Sequence, residues 1–340
     1  MSSDSSSAAV TAIDPTVTPL DRIAFKRFIP QDTTVAAQAT RATLTALFAT
    51  RFETFGGNFE DPLDEFVDIE EYATEAEPPE GAAILLMPLP ETIDPALEHA
   101  LENVLPEPSR ARLRRFANPR RRHQSLLGRL LAQRLANEAS EVADAAFFLR
   151  ERPPEGPLLA DFDGRPVGRF AVAHTDQGVA VALSRRPMGI DLETRRMRAR
   201  LPELARFALG ESFAHTINAL LAQNVERTLD VFFGAWGAIE SEQKMNGEDR
   251  DSASAAAAPE FDEMLRKYAR PKSVVVSWNT EIPGIRTVSP LGDPVPLEFL
   301  ETSLGLLTLL GAPATRSIEF LTLHPEELLD AFDNHVRSFL

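Results

Sequence analysis

Gly189-Ile190-Asp191-Leu192-Glu193 alternates apolar and acidic residues, and this alternation reads as a β-strand. A strand has period two, so Asp191 and Glu193 point to one face, about 6.5–7 Å apart along the chain. Trp236-Gly237-Ala238-Ile239-Glu240-Ser241-Glu242-Gln243-Lys244 lies in a run of helical periodicity. Trp236, Glu240 and Lys244 follow at four-residue spacing and share one stripe. Two hard oxygen ligands from a strand and a third from a facing helix suit Mg²⁺ bound to a phosphate ester. Lys244 adds a point charge one turn beyond the third carboxylate. Each feature also has an ordinary reading: an exposed strand edge for Asp191 and Glu193, a surface helix pair for Glu240 and Lys244.

Outward from these stretches, the 340 residues are 44% hydrophobic, enough for a sizeable core or two small ones. No run of 18 apolar residues spans a membrane, and the Ser-rich, Asp-containing start is neither a secretory leader nor an Arg-rich transit peptide. The absence of cysteine excludes disulfides, thiolate nucleophiles and Cys-based zinc sites. A cytoplasmic protein is expected. The net charge of −16 argues against a nucleic-acid binder. That charge is uneven: residues 53–80 carry eleven acids and no base, residues 110–122 seven arginines and no acid. One concentrated basic stripe can bind an anion on an otherwise acidic chain.

Two further motifs precede the strand. One is Arg112-Leu113-Arg114-Arg115-Phe116, leading to Leu126-Leu127-Gly128-Arg129. The other is Gly164-Arg165-Pro166, followed by Phe170-Ala171-Val172-Ala173-His174-Thr175. With Gly189–Glu193 and Trp236–Lys244, these four motifs in this order resemble the 4′-phosphopantetheinyl transferases of the two-repeat, surfactin-synthetase-activating type. The resemblance runs from about Ala83 to the C-terminus. It implies an α+β fold of two similar halves in tandem, a pseudo-twofold arrangement, with an N-terminal extension. The expected parts are an acidic, partly disordered extension (1–80), an N-terminal half (81–186) and a C-terminal half (187–340).

The implied activity is Mg²⁺-dependent transfer of 4′-phosphopantetheine from coenzyme A to a serine of an apo acyl or peptidyl carrier protein, a holo-[acyl-carrier-protein] synthase reaction. Adenosine 3′,5′-bisphosphate leaves. The metal ligands would be Asp191, Glu193 and Glu240, with Glu240 also the general base and Lys244 neutralising phosphate charge. Arg112, Arg165, His174, Thr175 and Lys244 would hold coenzyme A, with Arg112 and His174 on its 3′-phosphate. The two-half architecture makes a monomer sufficient, and neither nucleic acid nor membrane is a partner. The chain departs from the family pattern at Ile239, where a lysine is expected, at Ala171 and Ala173, and in Asn246–Asp251. These departures support the alternative of a weak or inactive coenzyme-A-binding homologue acting as an interaction protein.

The expected elements are a short helix around 34–52, a strand at 83–89, helices at 94–105, 106–115 and 125–139, and a strand at 147–149. A hairpin of 170–173 with 179–184 follows, then the strand 188–193 and helices at 201–209, 212–221 and 225–245. Beyond a surface loop at 248–259, strands are expected at 273–278, 304–310 and 318–323, and a terminal helix at 325–339.

Overall fold

The computed structural model describes residues 26–28, 32–48, 81–151, 156–246, 284–288, 294–312 and 316–321. The acidic run 53–80, the loop at 248–259, the strand at 273–278 and the helix at 325–339 lie outside the described residues.

The fold is α+β. In chain order its elements begin with β1 (Lys26–Arg27), α1 (Thr33–Phe48), β2 (Ala82–Pro88), α2 (Pro95–Asn103), α3 (Glu107–Leu113) and α4 (Pro119–Ala143). Five strands follow: β3 (Phe148–Arg150), β4 (Leu158–Ala160), β5 (Pro166–His174), β6 (Gly178–Ser184) and β7 (Gly189–Glu193). Then come α5 (Leu201–Leu209), α6 (Glu211–Leu221), α7 (Val225–Asn246), β8 (Gly284–Val288), β9 (Pro294–Thr302), β10 (Gly305–Leu310) and β11 (Arg316–Phe320).

Local chemistry starts the long helices. Asn118 caps α4, its side chain accepting from the Arg120 and Arg121 amides, and Pro119 occupies the first turn, where its missing N–H costs nothing. α4 ends at Asp144, in the left-handed region at φ 49°. Asn224 serves α7 in the same way, accepting from the Arg227 amide at 3.0 Å.

The strands form two sheets. The first has the order β11-β2-β6-β5-β4-β3, and the second runs β1-β9-β10-β7, with β8 also on β9. The sheets stack through a thin layer. Ala82, Ile84, Leu86, Ala171, Ala173, Ala180 and Ala182 of the first meet Ile190, Leu192, Leu307 and Leu309 of the second. Ala171 and Ala173, which depart from the family pattern, are therefore packing residues that let β7 approach β5. α1 and α4 cover the outer face of the first sheet, where Leu44, Leu47 and Phe48 join Leu127, Leu131 and Leu183. α5, α6 and α7 cover the second, with Phe213, Phe232 and Phe233 against Leu297, Phe299 and Leu306.

Two segments cross over. β1 joins the second sheet, parallel to β9, and α1 packs into the first core, so part of 1–80 belongs to the body of the fold rather than to an extension outside it. β11, late in the chain, joins the first sheet parallel to β2. Arg316 at its start pairs with Glu298 of β9, and Glu319 meets Arg134 of α4 at 3.1 Å. Strand membership thus does not divide cleanly at 186/187. β9 escaped the sequence reading because Pro294 and Pro296 interrupt its start, which is tolerated where a strand begins or lies at an edge.

Candidate active site

β7 has two differently used faces. Ile190 and Leu192 enter the layer between the sheets, while Asp191 and Glu193 turn toward α7. Two glycines set how close the helix comes. A Cβ on Gly189 would stand 1.7 Å from the Ser241 carbonyl oxygen, and one on Gly237 would stand 2.3 Å from Thr308 Oγ1 and 3.5 Å from Asp191 Oδ2. Only bare backbone at both positions lets α7 lie against β7, with its polar stripe over the strand carboxylates.

Asp191 is buried, with one oxygen, Oδ1, 2.8 Å from Lys244 Nζ. Its Oδ2 is buried and has no hydrogen-bond partner. Glu193 takes a single cation, Arg198 Nη2, at 3.0 Å on Oε2. Burial first, then the neighbouring Asp191 and Glu240 charges, push the Glu193 carboxyl up to about 7, against the pull of Arg198 and Lys244. Asp191, Glu193, Glu240 and Lys244 thus share one small field.

Close enough to feel the charges of Lys244 and Asp191, the β5–β6 turn presents His174. Its ring reaches solvent, yet desolvation, the Lys244 ammonium and Arg121 lower its pKa, opposed by its own backbone hydrogen bond and by Asp191. The imidazole is therefore neutral at pH 7 and offers one donor and one acceptor. Thr175 beside it is buried, and its hydroxyl is spent on the turn: it accepts from the Gln177 and Gly178 amides at 2.9 and 3.1 Å. Gln124 of α4 donates to the Thr175 carbonyl at 2.7 Å, and Arg120 donates to the carbonyls of Pro90 and Asp176. The first turns of α4 thus cradle the His174 loop.

The basic stripe is distributed unevenly. Arg110 and Arg114 pair with Glu107, and Arg122 pairs with Glu98 and Glu102. Arg112 sits on α3 near Glu151, the carboxylate that Arg129 grips. Arg121, which the sequence reading did not single out, is the arginine whose charge reaches His174. Its signal was available: it lies in the first turn of the helix that packs on the β5–β6 hairpin, but seven arginines in thirteen positions hide which one faces the turn. Arg165 lies at the opposite end of β5 from His174, nine residues or roughly 30 Å away at about 3.3 Å per residue. There it pairs with Asp163 at 3.7 Å. The structure does not bring Arg165 to the His174 end.

Ile239 is buried in the second core beside Phe233 and Ala235, so it fills space rather than leaving a gap for a cation. Trp236 packs against Phe232 with ring centroids 5.8 Å apart. Among the described residues, no group of three or more His, Asp or Glu side chains is gathered tightly enough to hold a metal ion. The expected ligand set of Asp191, Glu193 and Glu240 is thus not assembled as a ready shell. The physical reason is visible in the pairs: Lys244 and Arg198 already occupy one oxygen each of Asp191 and Glu193. The donor chemistry still fits a hard divalent cation, because an unpartnered buried carboxylate oxygen sits amid mutually repelling carboxylates.

No helix of the described residues is long and apolar enough to cross a membrane. No family model matches the chain. Over 166 residues it is 26% identical to the 4′-phosphopantetheinyl transferase gsp of Aneurinibacillus migulanus, a stretch covering 48% of this chain and 65% of that protein. The chain therefore spans less than two thirds of that relative's length. The four ordered motifs and this match point the same way: the likeness of this chain is to the 4′-phosphopantetheinyl transferase superfamily.

Proposed function

We propose that this protein transfers 4′-phosphopantetheine from coenzyme A to a serine of an apo acyl or peptidyl carrier protein, with Mg²⁺ required. The observation that carries the reading is the meeting of the Asp191–Glu193–Glu240–Lys244 field of β7 and α7 with the His174–Arg121 rim of the β5–β6 turn. An acidic floor beside a basic rim suits a metal-bound pyrophosphate, since neither charge alone would hold both.

Asp191, Glu193 and Glu240 would hold the metal, which when bound supplies charge neutralisation at the pyrophosphate oxygens. Arg121 and neutral His174, with Arg112 further along the stripe, would grip the 3′-phosphate, the guanidinium by paired hydrogen bonds. Lys244 would offer its ammonium to the phosphate oxygens. Glu240 would take the proton from the serine hydroxyl as its oxygen attacks the phosphorus bound to pantetheine. The phosphorus–oxygen bond to the adenosine bisphosphate breaks, and its electron pair leaves with that group. Positioning and charge supply most of such a rate enhancement.

Incubating the protein with coenzyme A, Mg²⁺ and several apo carrier proteins, read by mass spectrometry, tests the proposal. A phosphopantetheine mass gain on a carrier that disappears with Asp191→Ala is expected. Coenzyme A binding without any transfer would favour the inactive-homologue reading.

A further inference from the structure

We propose that Arg198 is a transferable counter-ion: it holds the Glu193 carboxylate while no metal is present, and passes to a substrate phosphate when a divalent cation takes that carboxylate. The inference rests on the phosphopantetheinyl-transfer reading above.

Arg198 is bound like a residue with a second use. Its guanidinium has five donors, yet Nη2 makes one contact with Glu193 at 3.0 Å while Nε is buried with no hydrogen-bond partner. Its side chain is 37% exposed and lies over the Phe233 ring, 5.4 Å from the centroid. A ring face holds a planar cation without fixing its direction, so the head can turn between partners while the stem stays packed. The connection that carries Arg198, from the end of β7 at Glu193 to the start of α5 at Leu201, is neither helix nor strand.

Two other cations of this connection are engaged elsewhere. Arg195 bonds Asp230 and Glu301, and Arg196 bonds Asp176 at 2.8 Å. Of these three, Arg198 is the one that pairs within the acidic cluster, where Asp191, Glu240 and Lys244 also act on Glu193. A divalent ion entering this field would repel the guanidinium at close range. A diphosphate arriving with that ion would offer the displaced head, and its idle Nε donor, a bidentate partner. Metal and anion binding are then coupled through one side chain, and losing it has opposite effects on the two.

The experiment uses the full chain, with Mn²⁺ as the probe and the free-ion electron paramagnetic resonance signal as the readout, at pH 8 under nitrogen. Asp191→Asn defines binding at this site. Without coenzyme A, Arg198→Gln is expected to bind Mn²⁺ about tenfold more tightly than wild type, because the competing cation is gone. At saturating Mn²⁺ the same variant should bind coenzyme A about tenfold more weakly, and Arg198→Lys should stay near wild type in both. If Arg198→Gln does not fold, Arg198→Met, which keeps the stem on Phe233, carries the same test. Weakening of both ligands marks a merely structural residue and overturns the inference, as does no change in either. Tighter Mn²⁺ with unaltered coenzyme A also overturns it, since Arg198 then never reaches the phosphate. If neither wild type nor variant shows Mn²⁺ binding sensitive to Asp191→Asn, this inference and the metal reading fall together, whereas any other failure leaves the metal reading standing.

Discussion

Glu151 and Glu193 are two carboxylates that face arginines, one behind each sheet, and they behave in opposite ways. The Glu151 side chain is only 4% exposed and the Glu193 side chain 19%. Burial alone would make Glu151 the weaker acid. Desolvation does push Glu151 up, but Arg129 grips both its oxygens at 2.6 and 3.1 Å, and Ser109 donates to it at 2.7 Å, with Arg112 behind. Together these hold it below the ordinary carboxylate range. Glu193, with one guanidinium contact and two like-charged neighbours, is pushed to about 7. The difference teaches how to tell a satisfied ion pair from a frustrated one. The first is saturated with donors of opposite sign, whereas the second keeps like charges together with fewer donors to offset them.

The largest effect should come from breaking the saturated pair. Arg129→Met strands a buried Glu151 charge and should cost about 3–5 kcal/mol of stability in urea titration. A loss below 1 kcal/mol would show that Glu151 neutralises or finds another partner, and the contrast with Glu193 would collapse.

The helix–strand contacts differ in the same sense. α7 approaches β7 backbone to backbone, so Gly189→Ala drives a Cβ into the Ser241 carbonyl and should cost about 3 kcal/mol, at the upper end of overpacking. Divalent-ion binding should fall with it, because the carboxylate field depends on that approach.

Glu193→Gln sharpens the electrostatic side. The folded carboxyl is raised from 4.5 to about 7, so it binds its proton more tightly in the native state. Stability is then fullest below pH 4.5 and declines as pH rises toward 7. The glutamine variant lacks that decline. It should match wild type below pH 4.5 and exceed it by up to about 3 kcal/mol at pH 8, read from melting curves. A wild type whose stability does not fall across this window, relative to the variant, would refute the like-charge account.

The smallest effect belongs to Gly128 of α4. An added Cβ there meets Val172 Cγ1 at 2.8 Å, a side-chain atom that can shift by a rotamer adjustment. Gly128→Ala should change stability by less than about 1 kcal/mol, since the helix propensity gained offsets the crowding. A loss as large as at Gly189 would mean that the first sheet's helix is held as tightly as the second's.

What the sequence by itself determined is periodic and local. The alternation of Gly189–Glu193, the stripe of Trp236, Glu240 and Lys244, and α5 over Leu201–Leu209 are set by residue spacing, and all were legible in the sequence. β4, β8 and β9 were not, because they are short or proline-bearing and gain their hydrogen bonds from distant partners. The same limit hid the packing of α1 into the first core and the exchange of β1 and β11 between sheets, since a strand's partner is chosen by shape and burial across hundreds of residues rather than by its own pattern. In the site, spacing marks which carboxylates exist but not which cations reach them. Only the tertiary structure decided that Arg121 and not Arg165 lies by His174, that the Thr175 hydroxyl closes a turn, that Ile239 fills a core, and that Arg198 holds Glu193. Those outcomes depend on the through-space approach of elements far apart in the chain, which charge and periodicity along one dimension do not encode.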